Sequence, residues 1–384
     1  MSDLDTSLVD FYKRHGISPV RQDISNLETH FTRRAALYRQ LGVLPSFVRG
    51  RTVLEIGPGG GFNSLYTATL QPSRYVLLEP NPTGVTHIES VFGQFPPLRK
   101  KIEIVGKLVE DYDTPDRFDF VLCEGMLALA GMKDPAALLR TVAKFVKPGG
   151  VLVITCIDAI SDFPETLRRL FGQLLIDPKA SLETQASALT AVFGPHLSSL
   201  AGMSRPHGDW VIDNLINPAS IGPYLPIFDA IAAIDQDFEF FAAAPHFSTD
   251  WRWYKSLAPQ TTEYSKRGIE QYWQNAHSLF DYRRTFAPRD AAANRELYTQ
   301  CDDTRALVRE YEGTRNTAVV PKIQTHLAGI ERSVRTFSAD VADALHEAHD
   351  LLAAVPPDAR AVAASTHFGP WFGRGQQYLS FSRR

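Results

Sequence analysis

The stretch Val53-Leu54-Glu55-Ile56-Gly57-Pro58-Gly59-Gly60-Gly61-Phe62 decides how this chain folds. Thr52 to Leu54 and Ile56 have strand character and run into a glycine-rich bend, and Asn63 to Leu70 behind it reads as a helix. Glycine suits such a bend because its backbone reaches φ > 0 and lets a ligand approach closely. The helix start leaves unpaired N–H groups facing the bend, which favours a polar or anionic ligand. A dinucleotide fingerprint beginning at Gly57 needs a small residue at position 62, where Phe62 stands. The spacing present is Gly57-x-Gly59-x-Gly61, with Glu55 ahead of the first glycine.

The following strand supports a ligand at this bend. Arg74-Tyr75-Val76-Leu77-Leu78-Glu79 is a β-prone run ending in a carboxylate 22 residues beyond Gly57. A carboxylate there, at the same sheet edge, is placed to accept from the two hydroxyls of a ribose. Pro80-Asn81-Pro82 then turns the chain into a helix extending to Gln94.

Length and composition bound the rest. At 384 residues the chain exceeds one ordinary domain, so a core with an elaboration is expected. Its 44% hydrophobic and 22% charged content is that of a soluble globular protein. A net charge of −3 and a pI near 6.4 give no global reason to bind nucleic acid, although Arg33-Arg34 and Arg168-Arg169 form local basic pairs. There is no run of 18 apolar residues and no apolar core near Met1-Ser2-Asp3, so neither a membrane span nor a secretory leader is expected. Cys123, Cys156 and Cys301 lack metal-like spacing, and two of them fall in apolar strands. A cytoplasmic location and no metal follow as expectations.

The form acidic-x-Gly-x-Gly-x-Gly resembles motif I of the class I S-adenosylmethionine (SAM) methyltransferases. The resemblance extends over about a hundred residues. Asp116-Arg117-Phe118-Asp119-Phe120-Val121 is similar to that family's fourth strand, with Glu124 and Gly125 at its end. A helix from Asp134-Pro135 through Lys147, the turn Lys147-Pro148-Gly149-Gly150 and the apolar run Val151 to Thr155 continue the likeness. What the resemblance implies is an α/β, Rossmann-like, doubly wound and mostly parallel seven-stranded sheet. It also implies SAM as cofactor, held by Glu55, Gly57, Pro58, Gly59, Gly61, Glu79, Asn81, Leu108, Val109, Glu124 and Gly125. Lys107 stands where the family usually has an acid for adenine, which leaves backbone groups of Leu108 and Val109 or the carboxylate of Glu110.

Around this core the sequence organises as an N-terminal helical lid over 1–50, the SAM-binding core over 51–158, an acceptor-recognition insertion with the sixth core strand over 159–250, and a helical region ending in the last core strand over 251–384. Ser25-x-x-Glu28 has the form of a capping box opening the helix before Gly42. The sixth and seventh strands are expected at Phe238-Glu239-Phe240-Phe241 and Gln377-Tyr378-Leu379-Ser380-Phe381, with long helices over Asp290 to Glu312 and Pro321 to Val355.

Acceptor recognition belongs in the insertions, because the core only presents the cofactor. His207-Gly208-Asp209-Trp210 with Asp213 and Tyr224, and His246 with Trp251, interleave polar groups and aromatic rings as a polar acceptor requires. By the lid resemblance Tyr12, His15 and Arg21 are further candidates. A hydroxyl acceptor needs a base, and His207, oriented by Asp209 or Asp213, leads over His246, His15 and Glu124. The leading expectation is O-methylation of a small polar molecule such as a saccharide or secondary metabolite. The alternatives are a protein or RNA methyltransferase, and a catalytically silent SAM-binding scaffold. The helical insertion also offers a surface for a homodimer.

Overall fold

The computed structural model describes residues 7–129, 134–223, 225–258 and 263–384. The chain divides into two compact units. The first contains Val9–Ile157, Pro223–Tyr272 and Gln376–Arg384; the second is made chiefly of Asp158–Gly222 and Trp273–Gly375.

The first unit is built on a seven-stranded sheet. Its strands are β1 (Thr52–Ile56), β2 (Arg74–Leu78), β3 (Ile102–Val105), β4 (Phe118–Cys123), β5 (Val146–Cys156), β6 (Phe238–Ala244) and β7 (Gln377–Arg383), in the order β3-β2-β1-β4-β5-β7-β6. The pairs from β3 to β5 are parallel, and β7 runs antiparallel to both β5 and β6. Val53-Leu54, Tyr75 to Leu78, Phe120 to Cys123 and Leu152 to Cys156 are all buried. Parallel strands covered on both faces read as continuous apolar runs rather than alternation, which is why these segments could be recognised. Cys123 and Cys156 are buried free thiols in that core, as is Cys301 in the second unit.

Strand positions follow the sequence expectation, including β6 and β7; several helix ends do not. The helix Leu27–Gln40 is capped by Asn26, whose side chain accepts from Thr29 N at 2.9 Å, while Ser25 N is bound to Asp23. The helix after Asp134 stops at Ala143, four residues short of Lys147, because Phe118 N takes the Phe145 carbonyl and the chain has already joined the sheet. Lys147-Pro148-Gly149-Gly150 is then a bulge inside β5, with Val146 opposite Phe118 and Val151 opposite Phe120. A side chain at Gly150 would lie 2.9–3.0 Å from the Lys147 and Asp119 carbonyls, so only glycine fits the bulge.

The second unit is helical. Its longer helices are Phe163–Leu175, Leu182–Ser199, Ala291–Thr314, Val320–Arg335 and Ala339–Leu351. The stretch expected as one helix from Pro321 breaks after Arg335, where Ser338 caps a new helix by accepting from Val341 N. Arg168 and Arg169 do not form a surface patch. Arg169 is buried against Glu312 at 2.5 and 2.9 Å, and Arg168 donates to the carbonyls of Phe368, Gly369 and Trp371 while lying 3.7 Å over the Phe372 ring. Among the described residues no helix is long and apolar enough to cross a membrane.

Candidate active site at the carboxyl edge of the sheet

Strand register defines the site. Ile56 lies opposite both Leu78 and Cys123, and Leu78 lies opposite Val105. The residues that follow, Gly57, Glu79, Gly106 and Glu124, therefore share one edge. The strand order reverses between β1 and β4, and open α/β sheets bind ligands in the crevice at such a reversal.

Gly57, Gly59 and Gly61 all have positive φ, at 70°, 57° and 75°. That conformation is costly for residues with a side chain, which explains the spacing seen in the sequence. Glu79 is only 5% exposed. Its carboxylate oxygens accept from Gly59 N and Asn81 N, both at 2.8 Å, and so brace the glycine turn from below. Burial pushes the Glu79 carboxyl up to about 7, against the lowering effect of those two N–H groups. Gly84, in the helix Pro82–Gly93, makes room for this arrangement: a side chain there would stand 3.0 Å from Glu79 and from the Gly59 carbonyl.

The N-terminal segment meets the same turn. Asn81 donates through its side chain to the Ile17 carbonyl at 2.9 Å, and a Cβ on Gly59 would lie 2.5 Å from Val20. Of the candidates upstream, Tyr12 is buried, while His15 and Arg21 are exposed, with the His15 ring 4.7 Å from that of Phe11.

The remaining cofactor candidates divide by burial. Glu55 is buried within the sheet, where the Tyr75 hydroxyl donates to it and burial raises its carboxyl to about 7. Pro58 is half-buried on the turn. Leu108 is exposed and Val109 buried, and their carbonyls accept from Asp111 N and Tyr112 N in a turn. Gly125 has φ 80° and donates to the Thr155 hydroxyl at 2.8 Å.

Glu124 is the most heavily bonded group on the edge. Arg34 clasps it with two nitrogens, at 3.0 Å to Oε1 and 2.8 Å to Oε2. Asn63 Nδ2 donates to Oε1 at 3.0 Å and the Tyr378 hydroxyl at 2.6 Å. Arg34, Asn63, Tyr378 and Gly84 were not singled out from the sequence as site residues. The glycine motif pointed to its own neighbourhood only, and Arg34 read as part of a surface pair.

The acceptor candidates fall in both units. His246 and Trp251 belong to the sheet-containing unit and are exposed, Trp251 to 92%. His207, Asp209, Trp210 and Asp213 belong to the helical unit. His207 opens the short helix His207–Val211, which continues into a π-helical turn, Ile212–Ile216. Asp209 and Trp210 are buried there, and Asp213 accepts from Arg205 at 2.6 Å. Tyr224 lies outside the described residues. No group of metal-binding side chains is present among the described residues.

Comparison with known proteins bears on the fold and its class. A family described as "Methyltransferase domain" matches residues 29–191. The sheet order and this match define a class by likeness: over residues 29–191 the chain is similar to the class I, SAM-dependent methyltransferase domains. Over 116 residues it is 30% identical to the ubiquinone biosynthesis O-methyltransferase of Aeromonas salmonicida (strain A449), covering 28% of this chain and 44% of that protein. Over 100 residues it is 31% identical to the ribosomal RNA small subunit methyltransferase G of Methylococcus capsulatus, covering 26% and 48%. The chain therefore spans less than half the length of these curated relatives. Among solved structures, PKMT2 from Rickettsia typhi in complex with AdoHcy superposes with a TM-score of 0.42 at 13% identity, covering 64% of this chain and 50% of that one.

Proposed function

We propose that this chain transfers a methyl group from SAM to an oxygen of a small polar acceptor. The observation that carries the reading is the edge formed by Gly57, Glu79 and Glu124, within a sheet ordered β3-β2-β1-β4-β5-β7-β6 and a matched methyltransferase domain. The residues fit a nucleoside-bearing ligand. Three positive-φ glycines set the shape of the turn, and each Glu79 oxygen accepts one backbone N–H, with capacity for a hydroxyl besides.

SAM, when bound, supplies a methyl group on a positively charged sulfur with a good leaving group. The chain's own task is to hold and orient. Glu79 and Asn81 would take the ribose side, Gly57, Pro58, Gly59 and Gly61 the amino-acid side, and the Leu108-Val109 turn the adenine. Fixing the acceptor against that site supplies most of the acceleration. His207 is our candidate for the base that takes the hydroxyl proton. Trp210, His246, Trp251, Tyr12, His15 and Arg21 are the acceptor-recognition candidates. Transfer to oxygen agrees with the O-methyltransferase relative. A small acceptor rather than RNA agrees with the net charge of −3 and with the burial of Arg34, Arg168 and Arg169.

Calorimetry with S-adenosylhomocysteine (SAH), followed by turnover of methyl-labelled SAM across a panel of hydroxylated small molecules, tests this. SAH binding with label appearing on an acceptor hydroxyl is the expected result. Label on nitrogen alone, or on RNA, would overturn the acceptor reading; absence of SAH binding would overturn the cofactor reading.

A further inference from the structure

The helix Leu27–Gln40 presents three buried polar side chains at helical spacing: His30, Arg34 and Tyr38. Residues four apart lie on one helix face, so the three form a polar ridge. Each meets a different part of the cofactor edge. His30 Nε2 lies 3.0 Å from the Phe62 carbonyl, at the end of the glycine turn. Arg34 clasps Glu124 at the end of β4, and the Tyr38 hydroxyl bonds to Thr67 at 2.7 Å in the helix Ser64–Thr69 behind the turn.

Glu124 is where these elements converge. It joins the N-terminal helix through Arg34, the start of the helix behind the turn through Asn63, and β7 through Tyr378. Three of its four bonds fall on Oε1, and a carboxylate has about four lone-pair sites in all. That occupancy suits a fixed strut better than a proton acceptor. Two residues on, Met126 lies under the turn, 3.5 Å from where a side chain on Gly57 would begin. A shift of Glu124 therefore reaches Gly57 through Met126 and the glycine turn through Asn63.

We infer that Arg34 is a positioning residue of the cofactor site: acting through Glu124, it fixes the glycine turn and the end of β4 in the geometry that binds SAM. The inference rests on the cofactor reading above. Its energetic basis is that a doubly hydrogen-bonded ion pair, with Arg34 buried and Glu124 mostly so, tolerates loss of one partner poorly, because the other is left charged and undercompensated. Lysine supplies the charge without the planar fork, so it restores the pair only in part.

The test is SAH calorimetry, with thermal melting in parallel, on the full chain and on Arg34→Gln, Arg34→Lys, Glu124→Gln, Tyr378→Phe and the double variant Arg34→Gln/Glu124→Gln. We expect each Gln variant to weaken SAH binding about tenfold or more. Arg34→Lys should fall between wild type and Arg34→Gln. The double variant should bind no worse than the poorer single, since the two residues act as one device. Lower melting temperatures with SAH affinity unchanged would assign Arg34 a purely structural role and overturn the inference. Losses that multiply in the double variant would overturn the route through Glu124. Should Arg34→Gln fail to fold, Arg34→Lys carries the test: affinity equal to wild type overturns the inference and a loss supports it, while Tyr378→Phe tests the route through Glu124, which a loss supports and wild-type affinity overturns. Wild-type protein that binds no SAH sinks the cofactor reading itself, a result distinct from all of these.

Discussion

Replacing Glu79 by Gln keeps the shape of the side chain and removes its charge. In the wild type the two oxygens accept from Gly59 N and Asn81 N, each at 2.8 Å. An amide offers one oxygen, so one of these backbone donors must face an NH₂ group in a site only 5% exposed. An unmade buried hydrogen bond costs about 1–3 kcal/mol, which corresponds to roughly a 5- to 150-fold loss of SAH affinity if the turn is the part released. The pH dependence adds a second signature. Burial raises the carboxyl from 4.5 to about 7, so the ionised form that grips the turn is depleted below neutral pH. Wild-type SAH affinity should decline from pH 8 to pH 6 (about the span of this titration), and that of Glu79→Gln should stay flat. The unliganded fold behaves oppositely. A carboxyl with a raised folded pKa contributes stability that is present below the unfolded value of 4.5 and lost as pH rises through about 7. The stability of wild type relative to Glu79→Gln should therefore drop over that range by up to about 3 kcal/mol. Calorimetry and melting at four or five pH values measure both trends. A variant that binds SAH within twofold of wild type at every pH would refute the reasoning.

Other expectations can be checked with the same methods. Gly59→Ala places a methyl 2.5 Å from Val20 at a φ of 57°, and should weaken SAH binding and destabilise the fold by about 1–2 kcal/mol. His207→Ala should slow transfer to a hydroxyl by roughly 10²–10⁴-fold and leave SAH affinity unchanged; a full transfer rate would remove His207 as the base. Glu312→Gln leaves Arg169 charged and buried, and should cost about 3–5 kcal/mol of stability in denaturant unfolding. Burial lowers the folded pKa of His196 to about 4 from 6.5, so its contribution is present above 6.5 and lost as pH falls through about 4. The melting difference between wild type and His196→Gln should shrink over that interval.

Strands and the glycine turn were legible because their causes are local. Continuous apolar runs mark buried parallel strands, and three alternating glycines mark a backbone held at positive φ. The place of Glu79 at the sheet edge was legible for the same reason, being fixed by its position after β2. The bulge at Lys147 to Gly150 was not, because it follows from pairing with β4 and from the reach of Lys147 to Asp119. Nor was the bonding of Glu124, whose partners lie 61, 90 and 254 residues away in the sequence. Doublets such as Arg33-Arg34 illustrate the limit. Composition counts them as surface charge, yet Arg34 is buried through an ion pair that only the fold creates. The acceptor candidates were the least legible, because aromatic and polar residues such as those from His207 to Asp213 occur equally in buried helices, where Asp209 and Trp210 lie.

The position of β7 bears on how the chain reaches its native state. This strand fills the slot between β5 and β6, yet it is separated from β6 by the helices from Tyr264 to Ala363. Until residue 383 has been made, β5 and β6 each present an open edge, and such edges invite pairing with foreign strands. The hydroxyl of Tyr378 arrives with that closing strand. Sheet closure and the last bond to Glu124 are thus one late, long-range event, and a ribosome-bound chain lacking this segment should be a client for chaperones.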